Sequence, residues 1–402
     1  MLATLLFSVA LIGLTACTVF LLLIIVAALR RRRTAAPLPP HVDHYPPITL
    51  LKPLCGMEPR LEENLESFFR QDYPRFQLVF GARQKNDPAL EVVQTLSRRH
   101  PHVPVEIVLS GEPDRPNAKV CSLEKMMGAA RFDYLVISDS DVHVTPDYVR
   151  RVIEPLLDPR VGLVTCLYRG VPTGGLWSRL EALGMSVEMT SGVIVADMFE
   201  GMRFALGPTM ALRRDVLDAI GGFSVLADYC ADDYVIGEKV FESGRQVVLS
   251  PHVIEHVVLN RSFRDSVLHQ VRWMKSTRFS RPKGHVGSGL TFAMPFGLLG
   301  GLTGLAVGQV GIGLALLAWA FLNRCLMAVI AGGCVVADAR SVLHCWLYPM
   351  RDLMGFGFWV ASFLGTTIVW RKERYQLQPG GRMVRVSPAE SASGAVAVDR
   401  LA

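Results

Sequence analysis

The first 29 residues of this 402-residue chain carry no charged side chain. A cleavable secretory leader would begin with a basic segment and a shorter apolar core. Here the basic cluster, Arg30 to Arg33, comes after the apolar run, and that run is long enough to span ~30 Å of hydrocarbon. Residues 1–29 therefore read as a retained transmembrane anchor whose downstream end the arginines place in the cytosol. Cysteine is also scarce and unpatterned. The eight cysteines form no CxxC pair, and Cys17, Cys325, Cys334 and Cys345 lie in apolar stretches, which excludes a disulfide framework and predicts free thiols. No long basic run crosses the middle of the chain, and the net charge is only +6. That balance is compatible with an anionic membrane surface or substrate and gives no reason to expect nucleic acid. Neither GxGxxG nor GxxxxGK[ST] occurs at a strand–helix turn, which removes a dinucleotide site and a P-loop.

What the chain does have is a hydrophobic fraction of 50%, high for a soluble enzyme and low for a protein that is all membrane. Residues 30–47, basic and then proline-rich, read as a stiff extended linker. From 48 to 282 the pattern alternates. Short apolar runs at 48–51, 78–80, 105–109, 134–137 and 161–167 look like buried strands, with helical stretches at 61–70, 89–100 and 119–130 between them. This predicts an α/β domain with a mostly parallel sheet and its ligand at the carboxyl ends of the strands. Residues 288–370 are apolar again. The stretch 290–336 has room for two spans with a tight turn, and 353–370 is a candidate third. Three spans would put the basic cluster Arg371, Lys372 and Arg374 on the outer face, against the positive-inside tendency, so one segment can instead lie in the interface or re-enter. Three C-terminal spans are the expectation, followed by a disordered tail over 375–402. A soluble nucleotide-binding core between membrane segments implies chemistry on a lipid with a water-soluble donor.

The aspartates carry the chemistry. Asp87 follows the second strand and can accept hydrogen bonds from a nucleobase or ribose; capping the helix that begins near Pro88 is an equally natural role. Asp139 and Asp141, spaced i and i+2 at the end of a central strand, would repel each other unless a cation neutralised them. Oxygen ligands select Mg²⁺ or Mn²⁺, which would also bridge the phosphates of a nucleotide. A phosphatase of the haloacid-dehalogenase type also begins strand-DxDx[TV], but His143 stands where its Thr or Val belongs. Asp232 and Asp233 open a helical stretch, where acids suit the macrodipole; that role suffices for Asp232 and leaves one carboxylate over. His269, Arg272 and Trp273 lie on an amphipathic helix over 262–280. There Arg272 can clamp a diphosphate and Trp273 can stack on an acceptor or a sugar; an interfacial helix with a snorkelling arginine is the plainer alternative. His252 and His256, without a nearby third ligand, read as structural.

The ordered set Asp, DxD, [ED]D and [QR]xxRW ahead of a membrane span resembles the inverting family-2-type GT-A glycosyltransferases. The resemblance is nearest to the ceramide glucosyltransferase branch and its bacterial relatives in hopanoid biosynthesis. Leu51-Lys-Pro-Leu-Cys-Gly56, Asp72-Tyr-Pro74, Asn86-Asp-Pro88, Asn117-Ala-Lys119 and Arg214-Asp-Val-Leu217 are similar to that branch as well. The resemblance implies a GT-A domain holding a UDP-sugar in a cytosolic cleft, with a lipid acceptor arriving from the membrane. Uridine would lie near Pro53 and Asp87, with Asn117 and Lys119 beside the nucleotide. Asp139 and Asp141 would form the metal and diphosphate site, Asp233 would be the general base, and Arg272 and Trp273 would clamp diphosphate and acceptor. His269 departs from the expected Gln or Arg. Asp141 is retained where ceramide enzymes tend to lose the second acid, which points to a bacterial relative in the inner membrane.

The expected activity is transfer of a hexose, N-acetylglucosamine before others, from a UDP-sugar to a hydroxyl of a hopanoid such as bacteriohopanetetrol, with inversion. Glucose transfer to ceramide is the alternative. A processive polysaccharide synthase would need more membrane helices for a polymer channel, and a non-enzymatic scaffold would have no use for the full set of acids.

Overall fold

The computed structural model of the chain describes residues 1–34, 45–259, 262–370 and 373–386. The remainder of the expected linker (35–44), Arg371 and Lys372 of the basic cluster, and 387–402 of the expected tail lie outside the described residues. Helix α1 (Leu2–Thr34) runs straight through the four arginines instead of ending before them.

The first half of the α/β domain follows the alternating pattern. Strands β1 (Ile48–Pro53), β2 (Phe76–Ala82), β3 (Val105–Leu109) and β4 (Tyr134–Ile137) alternate with helices α2 (Leu61–Phe69), α3 (Ala89–Arg99) and α4 (Ala118–Met126). After β4 come the two-residue strand β5 (Val142–His143), α5 (Tyr148–Ile153) and the long β6 (Val161–Val171). Helix α6 (Gly175–Leu183) continues through a π-helical turn into α7 (Thr190–Glu200). The domain closes with β7 (Met210–Arg213), α8 (Arg214–Ala219), α9 (Asp232–Glu242) and β8 (Gln246–Val257). These strands form one eight-stranded sheet in the order β3-β2-β1-β4-β7-β6-β8-β5. Strands β1 to β4 pair in parallel, as do β6 and β8, whereas β7 runs antiparallel between β4 and β6. The carboxyl ends of β1, β2, β4, β6 and β8 therefore meet at one edge, together with the start of β7. Ile48, Leu50 and Leu51 are fully buried in β1, and each such side chain contributes ~1.5–3 kcal/mol of burial.

Helix α10 (Phe263–Ser280), capped by Ser262, leads through α11 (Pro282–Ser288) to the hairpin of α12 (Ala293–Ala306) and α13 (Val310–Met327). The expected pair of segments over 290–336 is thus a helical hairpin packed on α1. Glycines allow close approach within it: a Cβ on Gly304 would stand 2.8 Å from Gly313 Cα, and one on Gly297 2.4 Å from Ala320 Cβ. Such small-residue contacts drive helix association where burial from water cannot. Trp319 Nε1 ties the hairpin to α1 by donating to Thr18 Oγ1 at 2.9 Å.

Among the described residues, Leu2–Arg33, Gly175–Glu200 and Val310–Val335 are long and apolar enough to cross a membrane. The pair Pro282–Thr291 and Ala293–Ala306 would be a fourth if its 48° bend is one broken span. Over half of the α6–α7 segment is buried within the protein. The third expected crossing, 353–370, takes another form. After the short α14 (Ala339–Leu343), helix α15 (Tyr348–Ser362) has only 15 residues, about 22 Å at 1.5 Å per residue. It carries the buried Arg351 and Asp352, and Asp352 pairs with Arg324 of α13 at 3.0 Å.

The chain then forms β9 (Thr367–Trp370), β10 (Glu373–Leu377) and β11 (Met383–Arg385), an antiparallel three-stranded sheet. This corrects the disordered tail for residues 375–386. Ile368, Tyr375, Leu377 and Met383 alternate along these strands and bury one common face together with Cys230, a period-2 pattern that a tail does not need. All eight cysteines are free.

Candidate active site

Three parallel strands deliver the expected residues to the same edge of the sheet. Pro53 ends β1. Asp87 follows β2, where both of its carboxylate oxygens accept the Gly56 N–H at 3.1 Å and Oδ1 also accepts the Ala89 N–H at 2.9 Å. Asp87 thus joins the turn after β1 to the start of α3. The capping reading has its counterpart: Asp87 closes the first turn of a helix at the carboxyl end of β2.

After β4 come Asp139 and Asp141. Asp139 Oδ1 lies 2.6 Å from Lys119 Nζ. Asp141 Oδ2 lies 3.0 Å from His256 Nε2, on the strand across the sheet, and Asp141 Oδ1 is buried with no hydrogen-bond partner among the described residues. Burial alone would push the Asp141 carboxyl up, but the charge and hydrogen bond of His256, with Lys52 and Lys119 behind them, hold it below the ordinary carboxylate range. His256 is raised in turn, because Asp141 outweighs its burial.

Lys119 links the two acidic pairs. Its Nζ, 2.6 Å from Asp139, is also 3.9 Å from Asp232 Oδ2. Burial opposes its charge, yet Asp139 and Asp232 together hold it above the usual lysine range. Asp232 is buried and accepts Asn117 Nδ2 at 3.2 Å. Both acids stand in the first turn of α9, as expected, with Ala231 before them as the capping residue; the Asp232 side chain faces Asn117 and Lys119. Asn117 is wholly buried. It caps α4 by accepting the Val120 N–H and donates to the Tyr229 carbonyl at 2.9 Å, so it supports the site from behind and presents no surface to a nucleotide.

Asp233 is half-buried. Its Oδ2 accepts the Gly207 N–H and its Oδ1 the Tyr234 N–H, both at 2.8 Å. The surrounding protein, and then the neighbouring charge of Asp232, push its carboxyl up to about 6. Gly237 makes this geometry possible. A Cβ there would meet Phe204 Cα at 2.4 Å and Ala205 N at 2.5 Å, so only glycine lets α9 lie against the loop that offers the Gly207 N–H.

On α10, His269 Nδ1 pairs with Glu181 Oε1 at 2.7 Å and its ring packs on Trp273, with centroids 4.5 Å apart. Arg272 lies over Trp370 of β9 at 5.3 Å. The basic groups expected at the diphosphate are therefore presented by a helix clasped between α6 and the C-terminal sheet.

Among the described residues, no group of three or more His, Cys, Asp or Glu side chains makes a complete metal cage. Asp139 and Asp141 still fit a divalent ion that shares its ligands with a nucleotide diphosphate. Such ions are held by one or two carboxylates plus substrate oxygens, and the orphaned Asp141 Oδ1 is a buried acceptor that a cation would satisfy.

The model of Glycosyl transferase family 21 matches residues 5–383. The chain belongs to this family. Ceramide glucosyltransferase 1 of Caenorhabditis elegans is 26% identical over 368 residues, 88% of this chain and 77% of that protein. The ceramide glucosyltransferase of Komagataella phaffii is 37% identical over 124 residues, which cover 30% of this chain and 24% of that one. Among solved structures, the mannosyltransferase PcManGT from Pyrobaculum calidifontis, in complex with GDP-Man and Mn2+, matches with a TM-score of 0.51. That match is 19% identical and covers 88% of this chain and 99% of the other. The likeness fixes the fold as GT-A and nothing finer.

In this family 21 glycosyltransferase several residues join the site to which the sequence reading gave no role there. His256, read as structural, contacts Asp141 directly; the two are 115 positions apart and meet only through the pairing of β5 with β8. Lys52 is fully buried at the end of β1, donates to Ser138 Oγ at 3.3 Å and to the Asp139 carbonyl, and sits 3.5 Å from the Phe68 ring. Burial draws it down to about 7 in spite of the acids around it. Tyr168 of β6 packs edge-on against His256, at 5.1 Å between centroids, within the field of Asp233, Asp141 and Asp139. Two sequence signals touched these residues: the His252/His256 pair, read as structural, and the motif Leu51-Lys52-Pro53, which marked the proline.

Proposed function

We propose that the chain transfers a hexose from a UDP-sugar to a hydroxyl group of a membrane lipid, with inversion at the anomeric carbon, on the cytosolic face of a bacterial inner membrane. The observation that carries this reading is the cluster of Asp139, Asp141, Lys119 and Asp233 at the carboxyl edge of the sheet, in a domain held against apolar helices. Asp233 has the position of a base: half-exposed, oriented by two backbone N–H groups, and near enough to neutrality to take a proton from an acceptor hydroxyl. Asp139 and Asp141 would hold Mg²⁺ or Mn²⁺, which when bound would neutralise charge on the departing diphosphate. Lys119 and Arg272 add cations of the chain's own for the same charge, and Pro53 and Asp87 flank the base and ribose. Trp273 stacks on the acceptor side, while His269 orients it from Glu181. One carboxylate base and one displacement give inversion.

For the lipid, a cavity of about 220 Å³ opens beside Tyr234 and is lined by Phe204, Phe241, Arg203, Arg281 and Glu200 among others. Tyr234 follows Asp233 on α9, and the mixed aromatic and charged lining suits a lipid headgroup.

N-acetylglucosamine and a polyhydroxylated hopanoid are the donor and acceptor to be tested first. Glucose transfer to ceramide is the second reading, favoured by the names of the relatives. Mass spectrometry of lipids from cells with and without the chain, followed by assay of the purified protein with each UDP-sugar, decides between them. A lipid extract unchanged in every hexosylated species would remove both.

A further inference from the structure

Two lysines attend Asp139, and they are held differently. Lys52 is wholly buried and donates to Ser138 Oγ at 3.3 Å and to the Asp139 carbonyl, so it fixes the backbone of the acid from inside the fold. Lys119 meets the carboxylate itself, with its Nζ 2.6 Å from Oδ1, and both of these side chains are partly open to solvent. A second carboxylate oxygen, Asp232 Oδ2, stands 3.9 Å from the same ammonium. The backbone that carries Lys119 is pinned. The Asn117 N–H donates to the Ala227 carbonyl at 2.8 Å, and the Asn117 side chain bonds to Val120, Tyr229 and Asp232. Lys119 therefore starts from a fixed point in the first turn of α4, and its four-carbon stem is what can swing. A cation in a first helical turn opposes the macrodipole, and α4 has no acid there to offset it. The acids that hold Lys119 come instead from the end of β4 and the start of α9.

We propose that Lys119 is an exchangeable counterion of Asp139: its ammonium and a divalent ion compete for the same carboxylate, and a nucleoside diphosphate resolves the competition by offering the ammonium phosphate oxygens of its own. Two cations at contact distance from one carboxylate repel each other. A lysine ammonium is a compact charge on a flexible stem and can trade partners. Passing from carboxylate to phosphate, with Asp232 nearby throughout, it never leaves a charge unpaired. The metal alone must evict Lys119, whereas the metal with a diphosphate need not. Lys119 thereby couples the two ligands beyond their direct contact, and that coupling acts equally in both directions. The inference rests on the reading of Asp139 and Asp141 as metal carboxylates beside a diphosphate.

The test uses the full-length chain, with Mn²⁺ affinity read by electron paramagnetic resonance with and without saturating UDP. The ratio of the two affinities is the coupling factor; association of Mn²⁺ with UDP in solution enters parent and variant alike and cancels between them. Lys119→Met keeps the length of the stem and removes its charge. Mn²⁺ alone should bind this variant more tightly than the parent, and the coupling factor should fall, each by roughly tenfold to hundredfold, the range of a hydrogen bond to a charged group. A lysine that only adds positive charge beside the site would shift both Mn²⁺ affinities alike and leave the ratio as it was, and that result overturns the proposal. Unaltered binding of Mn²⁺ alone overturns it too. Lys119→Gln, whose amide can still donate to Asp139 without a charge, must show the same fall in the ratio. Loss of the fold in both variants would mark the pair as structural and count against the exchange. The proposed function survives all of these failures provided the parent binds UDP more tightly with Mn²⁺ than in chelator. A parent that shows no such difference removes the metal reading itself.

Discussion

Replacing Asp232 by Asn separates the two roles within the acidic pair. Asp233 is raised from 3.8 to about 6, an opposition to its charge of ~3 kcal/mol, first from burial and second from Asp232. Asp232→Asn removes the neighbouring charge and keeps an oxygen for Asn117 Nδ2. The carboxyl of Asp233 should then return part of the way toward 3.8, as far as its burial allows. Turnover needs the ionised base, so it is present above the pKa of Asp233 and lost as the pH falls through it. The parent should therefore lose activity around pH 6, and Asp232→Asn should keep it to lower pH with less than ~10-fold change at neutrality. Asp233→Asn should lower kcat by roughly 10²–10⁴-fold at all pH values. Its amide nitrogen must face either the Gly207 or the Tyr234 N–H, leaving a donor unpaired at ~1–3 kcal/mol, so thermal unfolding and UDP binding are measured beside it. The assay is single-turnover transfer to lipid across the acid range. An acid limb that stays fixed in Asp232→Asn would refute the electrostatic coupling. Full turnover in Asp233→Asn would place the base elsewhere.

Asp139→Ala and Asp141→Ala should each weaken UDP-sugar binding as well as turnover, and undiminished activity of the parent in excess chelator would remove the metal role. Gly237→Ala should destabilise the protein by ~1–3 kcal/mol and lower kcat, because its methyl meets backbone of residues 204–205 at about 2.5 Å; an unchanged melting temperature and rate would show that α9 can shift freely. A reporter fused after Arg33 should behave as cytoplasmic, and a periplasmic signal would invert the topology.

The alternation of apolar runs with helical stretches made the first half of the sheet legible, since β1, β2 and β4 are buried on both faces and the edge strand β3 is apolar although half-exposed. Asp139 and Asp141 were equally visible, two acids at the end of such a strand having no cheap structural use. His256 was not visible, because its meaning depends on β8 crossing the sheet to reach Asp141. Asn117 was visible as a motif, but nothing in its neighbours said that its polar groups would be consumed by Val120, Tyr229 and Asp232. The C-terminal strands were hidden by their shortness and by the composition of the residues after them. Their pattern of Ile368, Tyr375, Leu377 and Met383 is too sparse to stand out until Cys230 is seen to complete it.

Helix α1 does not end as a free tether. Arg31 donates to the carbonyls of Leu249 and Ser250 on β8, and Arg30 donates to the Met198 carbonyl at 3.4 Å. At 33 residues the helix is about 50 Å long, well beyond the ~30 Å of a hydrocarbon core. Under the proposed function this helix would work as a ruler, because it clasps the strand that also bears His256 and would so set the height of the acids above the lipid. A lipid would then be glycosylated only if its hydroxyl lay at that height, and immersion depth would become a selector of acceptors alongside chemical shape.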